Sequence, residues 1–389
     1  MLEKTRSAPR EVKSKAKVAK ASFYKPSIHW LAIFLPISFA IAFIPVIRNE
    51  IGLFFASCLG MIVVAYWIGE ATDRLAERVG VTWGGMMNAA FSNLPELIFG
   101  LIAVAKCLGP LAKAAWTGAI ISNMLVVVGS AIVVGGYRYG TVTFPLERAK
   151  DAAAGLMIAA VAILMPSIYA HAVDFSSEKI SASDVIADVS VWLCLFLLMA
   201  YGGSLIYTLA KSRTFGVFEE ESPLEQTPAL DAKLSWSIGF SIGVLAFSSL
   251  LIALLSDFVS DCVDSITTGL GWTEIFVGAI VIGIIGNVGA LMSAVMVALR
   301  NKMDLSFEIG MNASTQIALL VIPTLIIASA VMGKPVDFLF SPPQIAALLG
   351  SVIIMAQISQ DGRCNWLNGL QMLIFFGVIG VLFYFDPTS

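Results

Sequence analysis

The segment Asn88-Ala-Ala-Phe-Ser-Asn-Leu-Pro-Glu96 lies inside a long apolar run, yet it carries a carboxylate, two carboxamides and a proline. A charge at mid-bilayer costs from about 2.5 to more than 10 kcal/mol depending on the reference, so such groups usually mark an ion or proton pathway. On a helix Asn88, Ser92 and Glu96 share one stripe, with Asn93 flanking it. Pro95 removes a backbone N–H and crowds the preceding turn, which frees carbonyl oxygens. At membrane depth free carbonyls are tolerated where they line a cavity or bind ions.

More oxygen donors follow in other apolar runs. Ser122 and Asn123 lie in the next one. Further on, Gly283, Gly286 and Gly289 surround Asn287, and Asn312, Ser314, Thr315 and Gln316 come after it. Together they form a set of oxygens with one anionic member, Glu96. Hard cations such as Ca²⁺ take about 6–8 oxygen ligands from carboxylates, carbonyls, amides and water. Amides and hydroxyls without thiolates or imidazoles argue against copper or zinc. A carboxylate away from water is tolerated best when protonated or paired with a cation, so Glu96 could alternate between a proton and a metal ion. Competition for one group is enough to couple two fluxes. Isolated Ser or Asn residues read more simply as helix-to-helix hydrogen bonds; the whole set at matching positions reads as a site. The small residues Gly84, Gly85, Ala89 and Ala90 read as close helix packing.

The elements that hold this set are membrane helices. The chain has 389 residues, 58% hydrophobic and 13% charged, against about 25% charged in soluble domains. Mean hydropathy is +0.86. About 20 apolar residues span a bilayer core of about 30 Å. Turn and charge signals predict eleven spans, at about 28–47, 51–69, 83–106, 112–134, 149–171, 185–211, 234–256, 272–299, 308–331, 342–357 and 366–385. The fold class expected is an all-α polytopic membrane protein. With the N-terminus in the cytosol, nineteen of the 24 Lys and Arg residues fall on the cytosolic side and five on the other, which is the positive-inside pattern. The C-terminus is then on the opposite side. Which membrane holds the protein is left open.

The halves repeat. Phe91-Ser-Asn-Leu-Pro-Glu-Leu97 aligns with Ile285-Gly-Asn-Val-Gly-Ala-Leu291, 194 residues later, and Gly118–Asn123 aligns with Asn312–Ile317 at the same offset. The expected organisation is a basic tail (1–27), a leading helix (28–50), a first five-helix repeat (51–211), an acidic linker (212–233) and a second five-helix repeat (234–389). Five is odd, so the second repeat enters the membrane from the other side. Inverted repeats with interrupted helices near the midplane are the architecture of secondary transporters.

Other chemistry is poorly served. Five cysteines (58, 107, 194, 262 and 364) are scattered, without the close spacings of a metal or disulfide framework. His29 and His171 are equally isolated, and an intramembrane hydrolase would need a Ser/His or paired Asp arrangement that is absent. No cofactor or nucleic acid is expected; the expected partners are the transported cation, protons and the lipid bilayer, with homo-oligomerisation left open. The basic tail reads as a cytosolic arm that contacts anionic lipid, or as a transit-like leader.

The motifs also resemble those of the calcium/proton exchangers of the Ca²⁺/cation antiporter superfamily. Gly84-Gly-Met-Met-Asn-Ala-Ala-Phe-Ser-Asn-Leu-Pro-Glu-Leu-Ile98 is similar to that family's first signature, Gly-Gly-x-x-Asn-Ala-x-x-Gly-Asn-x-x-Glu-Leu-Ile. Asn301–Leu305, Ser314–Ala318 and Asn365–Leu367 resemble elements of its second repeat. The resemblance implies ten core helices in two inverted halves plus a leading helix. It implies an ion site of Asn93 and Glu96 opposite Asn287, with Ser122, Asn123, Ser314 and Gln316 beside them, and Glu96 as the proton-coupling group. One departure bears on function: the family's second signature, Gly-Asn-x-x-Glu-His, reads Gly286-Asn-Val-Gly-Ala-Leu291 here. The second acid and its histidine are missing, which predicts weaker Ca²⁺ binding or a changed ion, and fewer protons per cation. Glu274 and Glu308 are candidate substitutes. Ca²⁺/H⁺ exchange out of the cytosol, exchange of Na⁺, K⁺ or Mn²⁺ on the same fold, and a non-transporting homologue are the readings carried forward.

Overall fold

Why the polar set ends up at one depth is clear from where the apolar helices break. The computed structural model describes residues 28–79, 87, 91–172, 182–215 and 236–386. The basic tail 1–27, Asn88, the small residues Gly84, Gly85, Ala89 and Ala90, and most of the acidic linker lie outside them. A 3₁₀ turn, Ile28–Ile33, leads into α1 (Phe34–Phe43). The first half continues through α2 (Glu50–Val79), α3 (Leu94–Ala105), α4 (Gly109–Tyr139), α5 (Leu146–Ala172) and α6 (Ala182–Phe215). The second comprises α7 (Ile238–Asp261), α8 (Val263–Leu270), α9 (Glu274–Gly286), α10 (Val288–Ala298), α11 (Met303–Val331), α12 (Pro342–Ser359) and α13 (Trp366–Tyr384).

Each of the eleven expected apolar segments contains helix. Among the described residues, however, eight helices are long and apolar enough to cross a membrane alone. Three are shorter: Ile28–Phe43, Leu94–Ala105 and Val288–Ala298. The last two are short for a physical reason. The expected spans 83–106 and 272–299 do not run as continuous helices, because the backbone turns at Asn93 (φ −103°, ψ 21°) and again at Asn287 (φ −90°, ψ 6°). Pro95 sits in the first turn of α3, where its missing N–H costs nothing. The stripe expected through Ser92 and Glu96 is therefore interrupted between them. The sequence reading also missed α8, which meets α9 at a bend of 120°.

The 194-residue repeat is carried into the backbone. α4 and α11 begin 194 residues apart, at Gly109 and Met303, and each changes to π-helical winding 194 residues apart, at Asn123 and Ile317. The turns before them place Cys107 at φ 62° and Asn301 at φ 61°. Such agreement between unlike residues comes from a shared backbone path, since left-handed φ is uncommon outside glycine. A short antiparallel ribbon, β1 (Val142–Thr143) with β2 (Arg363–Cys364), ties the two halves together at one end.

The halves meet along a seam of small residues. A Cβ on Gly118 of α4 would sit 2.2 Å from the Cα of Ala279 on α9, and one on Gly283 would sit 2.7 Å from the Gly118 carbonyl carbon. In membranes, close backbone approach of this kind stands in for the hydrophobic drive that lipid removes. Overpacking costs about 1–3 kcal/mol where side chains can adjust, and here the obstacle is backbone. Gly118→Val is expected to lower the thermal unfolding midpoint of the detergent-solubilised protein by several degrees or abolish folding. Gly155→Val, on an open face of α5, is the matched control and is expected to leave it unchanged.

Candidate functional site

Both broken helices present their N-termini to the middle of the bundle. Asn93 and Asn287 occupy the N-cap positions of α3 and α10, but neither side chain caps its own helix. Asn93 Nδ2 instead donates to Gln316 Oε1 of α11 at 2.8 Å, and Ser92 Oγ donates to the same oxygen at 3.3 Å. Asn287 Nδ2 donates to the carbonyls of Ala119 and Gly283, each at 2.9 Å. Ser314 Oγ reaches the carbonyls of Ile120 (3.3 Å) and Gly310 (2.9 Å). In each case a carboxamide or hydroxyl crosses from one half to the other.

Glu96 lies in the first turn of α3 and is 9% exposed. Its carboxyl faces the break in the other half: a Cβ built on Gly286 would be 2.7 Å from Glu96 Oε1 and 3.1 Å from Cδ. A side chain larger than hydrogen at 286 would thus displace the acid. The N-terminal end of a helix favours an anion by about 0.3–1 kcal/mol, more where solvent is excluded. Glu96 sits on one such end beside a second.

Among the described residues Glu96 Oε2 and, beside it, Trp116 Nε1 have no hydrogen-bond partner, and neither do the two amide atoms of Asn123 on α4. All are buried. Leaving such groups unpaired is costly, and it calls for an explanation in a native site. Glu96, Trp116 and Gly286 line a small cavity of about 10 Å³, closed by Met61, Phe99 and Ile252. That is room for about one water molecule. Sequence reasoning missed Trp116; its only signal was a large ring in the small-residue run Ala114-Ala-Trp-Thr-Gly-Ala119.

Every residue expected at the site is buried or half-buried, and Asn93, Glu96, Asn287 and Gln316 sit at or against the two breaks. Glu96, Asn93, Ser122, Asn123, Asn287 and Ser314 are buried, and Gln316 bridges to Asn93. Glu96 and Asp386 are the buried acids among the described residues, and Asp386 lies past the end of α13. The position that mirrors Glu96 is Ala290. No group of three or more His, Cys, Asp or Glu side chains able to hold a metal occurs among the described residues. The arrangement is one carboxylate among neutral oxygens, suited to a hard cation held with water, or to a proton.

Comparison with known proteins gives a consistent picture. The family model described as sodium/calcium exchanger protein matches residues 49–210 and 240–385. A Ca²⁺/H⁺ antiporter of Aphanothece halophytica is 36% identical over 366 residues, covering 92% of this chain and 96% of that protein. The Ca²⁺/H⁺ antiporter ChaA of Bacillus subtilis is 29% identical over 85% of this chain and 92% of its own length. The solved structure of native YfkE superposes with a TM-score of 0.77 at 26% identity, covering 92% of this chain and all of that one. The crystal structure of an H⁺/Ca²⁺ exchanger, CAX, shares the fold at a TM-score of 0.62 and 14% identity, over 96% of this chain and 92% of that one.

The contact between Gly286 and Glu96 gives a test of the geometry. A ligand that binds only the folded state raises the unfolding midpoint by an amount that grows with the logarithm of its concentration relative to Kd. Gly286→Ala is expected to fold, because only one flexible carboxyl must move, yet to bind divalent cations roughly tenfold more weakly, about 1.4 kcal/mol. The measurement is the Ca²⁺-induced rise in unfolding midpoint, which should shift to higher Ca²⁺.

Proposed function

The chain belongs to the sodium/calcium exchanger protein family, and from that premise we propose that it is a secondary active antiporter exchanging Ca²⁺ for protons across a membrane, removing Ca²⁺ from the cytosol. The observation that supports this most directly is Glu96, a carboxylate packed against Gly286 where two broken helices meet. The relatives named Ca²⁺/H⁺ antiporter, matched over most of their length, favour the same ion pair.

The residues take distinct roles in this reading. Glu96 holds either a proton or the cation, never both, so each displaces the other. Asn93, Asn287, Ser122, Asn123, Ser314 and Gln316 supply neutral oxygens, directly or through retained water, and set the size of the site. Some of these oxygens already serve hydrogen bonds between the halves, so occupancy and the contact between the repeats are coupled. Movement of one repeat against the other about such a site is how inverted-repeat transporters alternate access.

Ala290 gives a specific reason to keep a second reading. With one carboxylate, the site neutralises half the charge of Ca²⁺, and one proton is exchanged per cation. A monovalent cation such as Na⁺ or K⁺ would be neutralised fully, so exchange of a different cation on the same fold is the alternative.

Two experiments test this. Everted membrane vesicles carrying the protein should dissipate a preformed pH gradient when Ca²⁺ is added, and Glu96→Gln should abolish the response. A response to Na⁺ without one to Ca²⁺ would select the alternative, and no response to any cation would leave a non-transporting homologue. In the same assay Ala290→Glu is expected to strengthen the Ca²⁺ response, since charge terms in such a site are worth several kcal/mol. An unchanged response would mean that the mirrored position does not face the ion.

A further inference from the structure

At the end of the bundle where the ribbon ties the halves together, positive charge collects without partners. The ribbon sets Thr143 opposite Arg363. Beside it α4 ends in Tyr137-Arg138-Tyr139. Tyr139 Oη donates to the Leu299 carbonyl at 2.7 Å, which brings the turn carrying Arg300 and Lys302 against the end of α4. A Cβ on Gly136 would sit 2.4 Å from the Trp366 nitrogen, so the start of α13 belongs to the same cluster. Arg138 and Arg363 are exposed, and Arg300 and Lys302 are half-buried. None of the four takes part in an ion pair among the described residues, although Asp304 and Asp361 lie two residues from Lys302 and Arg363. The lysines at the other end of α4 are held instead. Lys106 and Lys113 bind Asp257, Asp261 and Asp337, and Lys334 donates to the Ala105 carbonyl.

What meets these cations follows from their depth. α4 ends at Tyr139, α11 starts at Met303 and α13 starts at Trp366, and all three helices are long and apolar enough to cross a membrane. Arg138, Lys302 and Arg363 therefore lie within one helical turn of a span end. Tyr137 is 87% exposed, with Tyr139 and Trp366 also exposed beside it. Exposed Tyr and Trp at span ends mark the level of the lipid headgroups. The Arg138 guanidinium lies 5.6 Å from the centre of the Tyr139 ring, and that ring is pinned through its hydroxyl. Guanidinium forks bind phosphate oxygens in pairs. The positive-inside distribution puts this end in the cytosol, where the leaflet carries anionic lipid.

We propose that Arg138, Arg300, Lys302 and Arg363 form a binding site for the phosphate headgroup of an anionic phospholipid, seated against Tyr137 and Trp366. The site draws on both repeats, with Arg138 from the first and the other three cations from the second. A bound headgroup thus reinforces the ribbon, the other link between the halves at this end. The site does not depend on the antiporter reading.

The test is the unfolding midpoint of the full-length protein in neutral detergent, titrated with short-chain phosphatidylglycerol or with phosphatidylcholine of the same chain length. Phosphatidylglycerol should raise the midpoint at concentrations where phosphatidylcholine leaves it unchanged. Each basic side chain near an anionic surface is worth about fivefold in affinity. The double variant Arg138→Gln with Arg363→Gln changes exposed side chains alone and should fold, yet need about tenfold or more phosphatidylglycerol for half the rise. Arg138→Lys with Arg363→Lys should recover most of the response. Arg48→Gln, an exposed charge before α2 at the other end of the bundle, should respond as the unsubstituted protein does. The proposal is overturned if phosphatidylcholine acts as well as phosphatidylglycerol, or if Arg48→Gln weakens the response as much as the double variant. An undiminished response in the double variant would assign the lipid contact to the basic tail 1–27 and overturn it too. So would an equal rise with inorganic phosphate, which would make the cluster a site for soluble anions.

Discussion

Everything in this bundle is arranged around the energetic cost of one carboxylate held away from water. Glu96 is buried, and one of its oxygens lacks a hydrogen-bond partner among the described residues. A group in that state is relieved by a proton or by a cation, and the bundle supplies a place where either can arrive. The breaks at Asn93 and Asn287 turn two helix N-termini toward the same point, and Gly286 leaves the room in which the carboxyl sits. Moving the acid one turn along α3 would take it out of the first turn and away from that break.

The neutral residues matter through their connections as well as their oxygens. Asn93 bonds to Gln316, Asn287 to the Ala119 carbonyl, and Ser314 to the Ile120 carbonyl. These bonds tie α3 to α11, and α9 and α11 to α4, so they join elements of the two halves. Under the proposed function, a cation drawing on those oxygens would compete with the contacts that hold the halves together, linking occupancy to rearrangement. The glycine seam between α4 and α9 brings these backbones close enough for the bonds to form. At the Lys106 end of α3 a different interaction holds: its ammonium bridges Asp257 and Asp261 of α7 at 2.7 and 2.6 Å. Such partly exposed pairs contribute modestly but anchor the far end of the half-helix.

Much of this was legible in the chain itself. Polar residues amid apolar runs pointed to Glu96, Asn93, Asn287 and Gln316, and the constant offset aligned them before any coordinates. The offset held well enough to match helix starts, π-helical segments and even the left-handed turns at Cys107 and Asn301. Helix continuity was not legible. A run such as 83–106 reads as one span by hydropathy, because hydropathy has no term for a backbone that turns at an asparagine. The bend between α8 and α9 was hidden for a related reason: Gly271 at φ 68° signals a helix end, but the preceding eight-residue helix is too short for periodicity to register. Trp116 and Met61 approach Glu96 through tertiary packing, which spacing along the chain does not encode.

The central claim is that a single carboxylate serves both ions by exchange. Its most direct test is the number of protons released when Ca²⁺ binds to the purified protein, measured calorimetrically in buffers of different ionisation enthalpy at a pH where Glu96 is protonated. One carboxylate predicts release that approaches one proton per bound cation and disappears in Glu96→Gln. Release of two protons, or the same release from Glu96→Gln, would contradict the account.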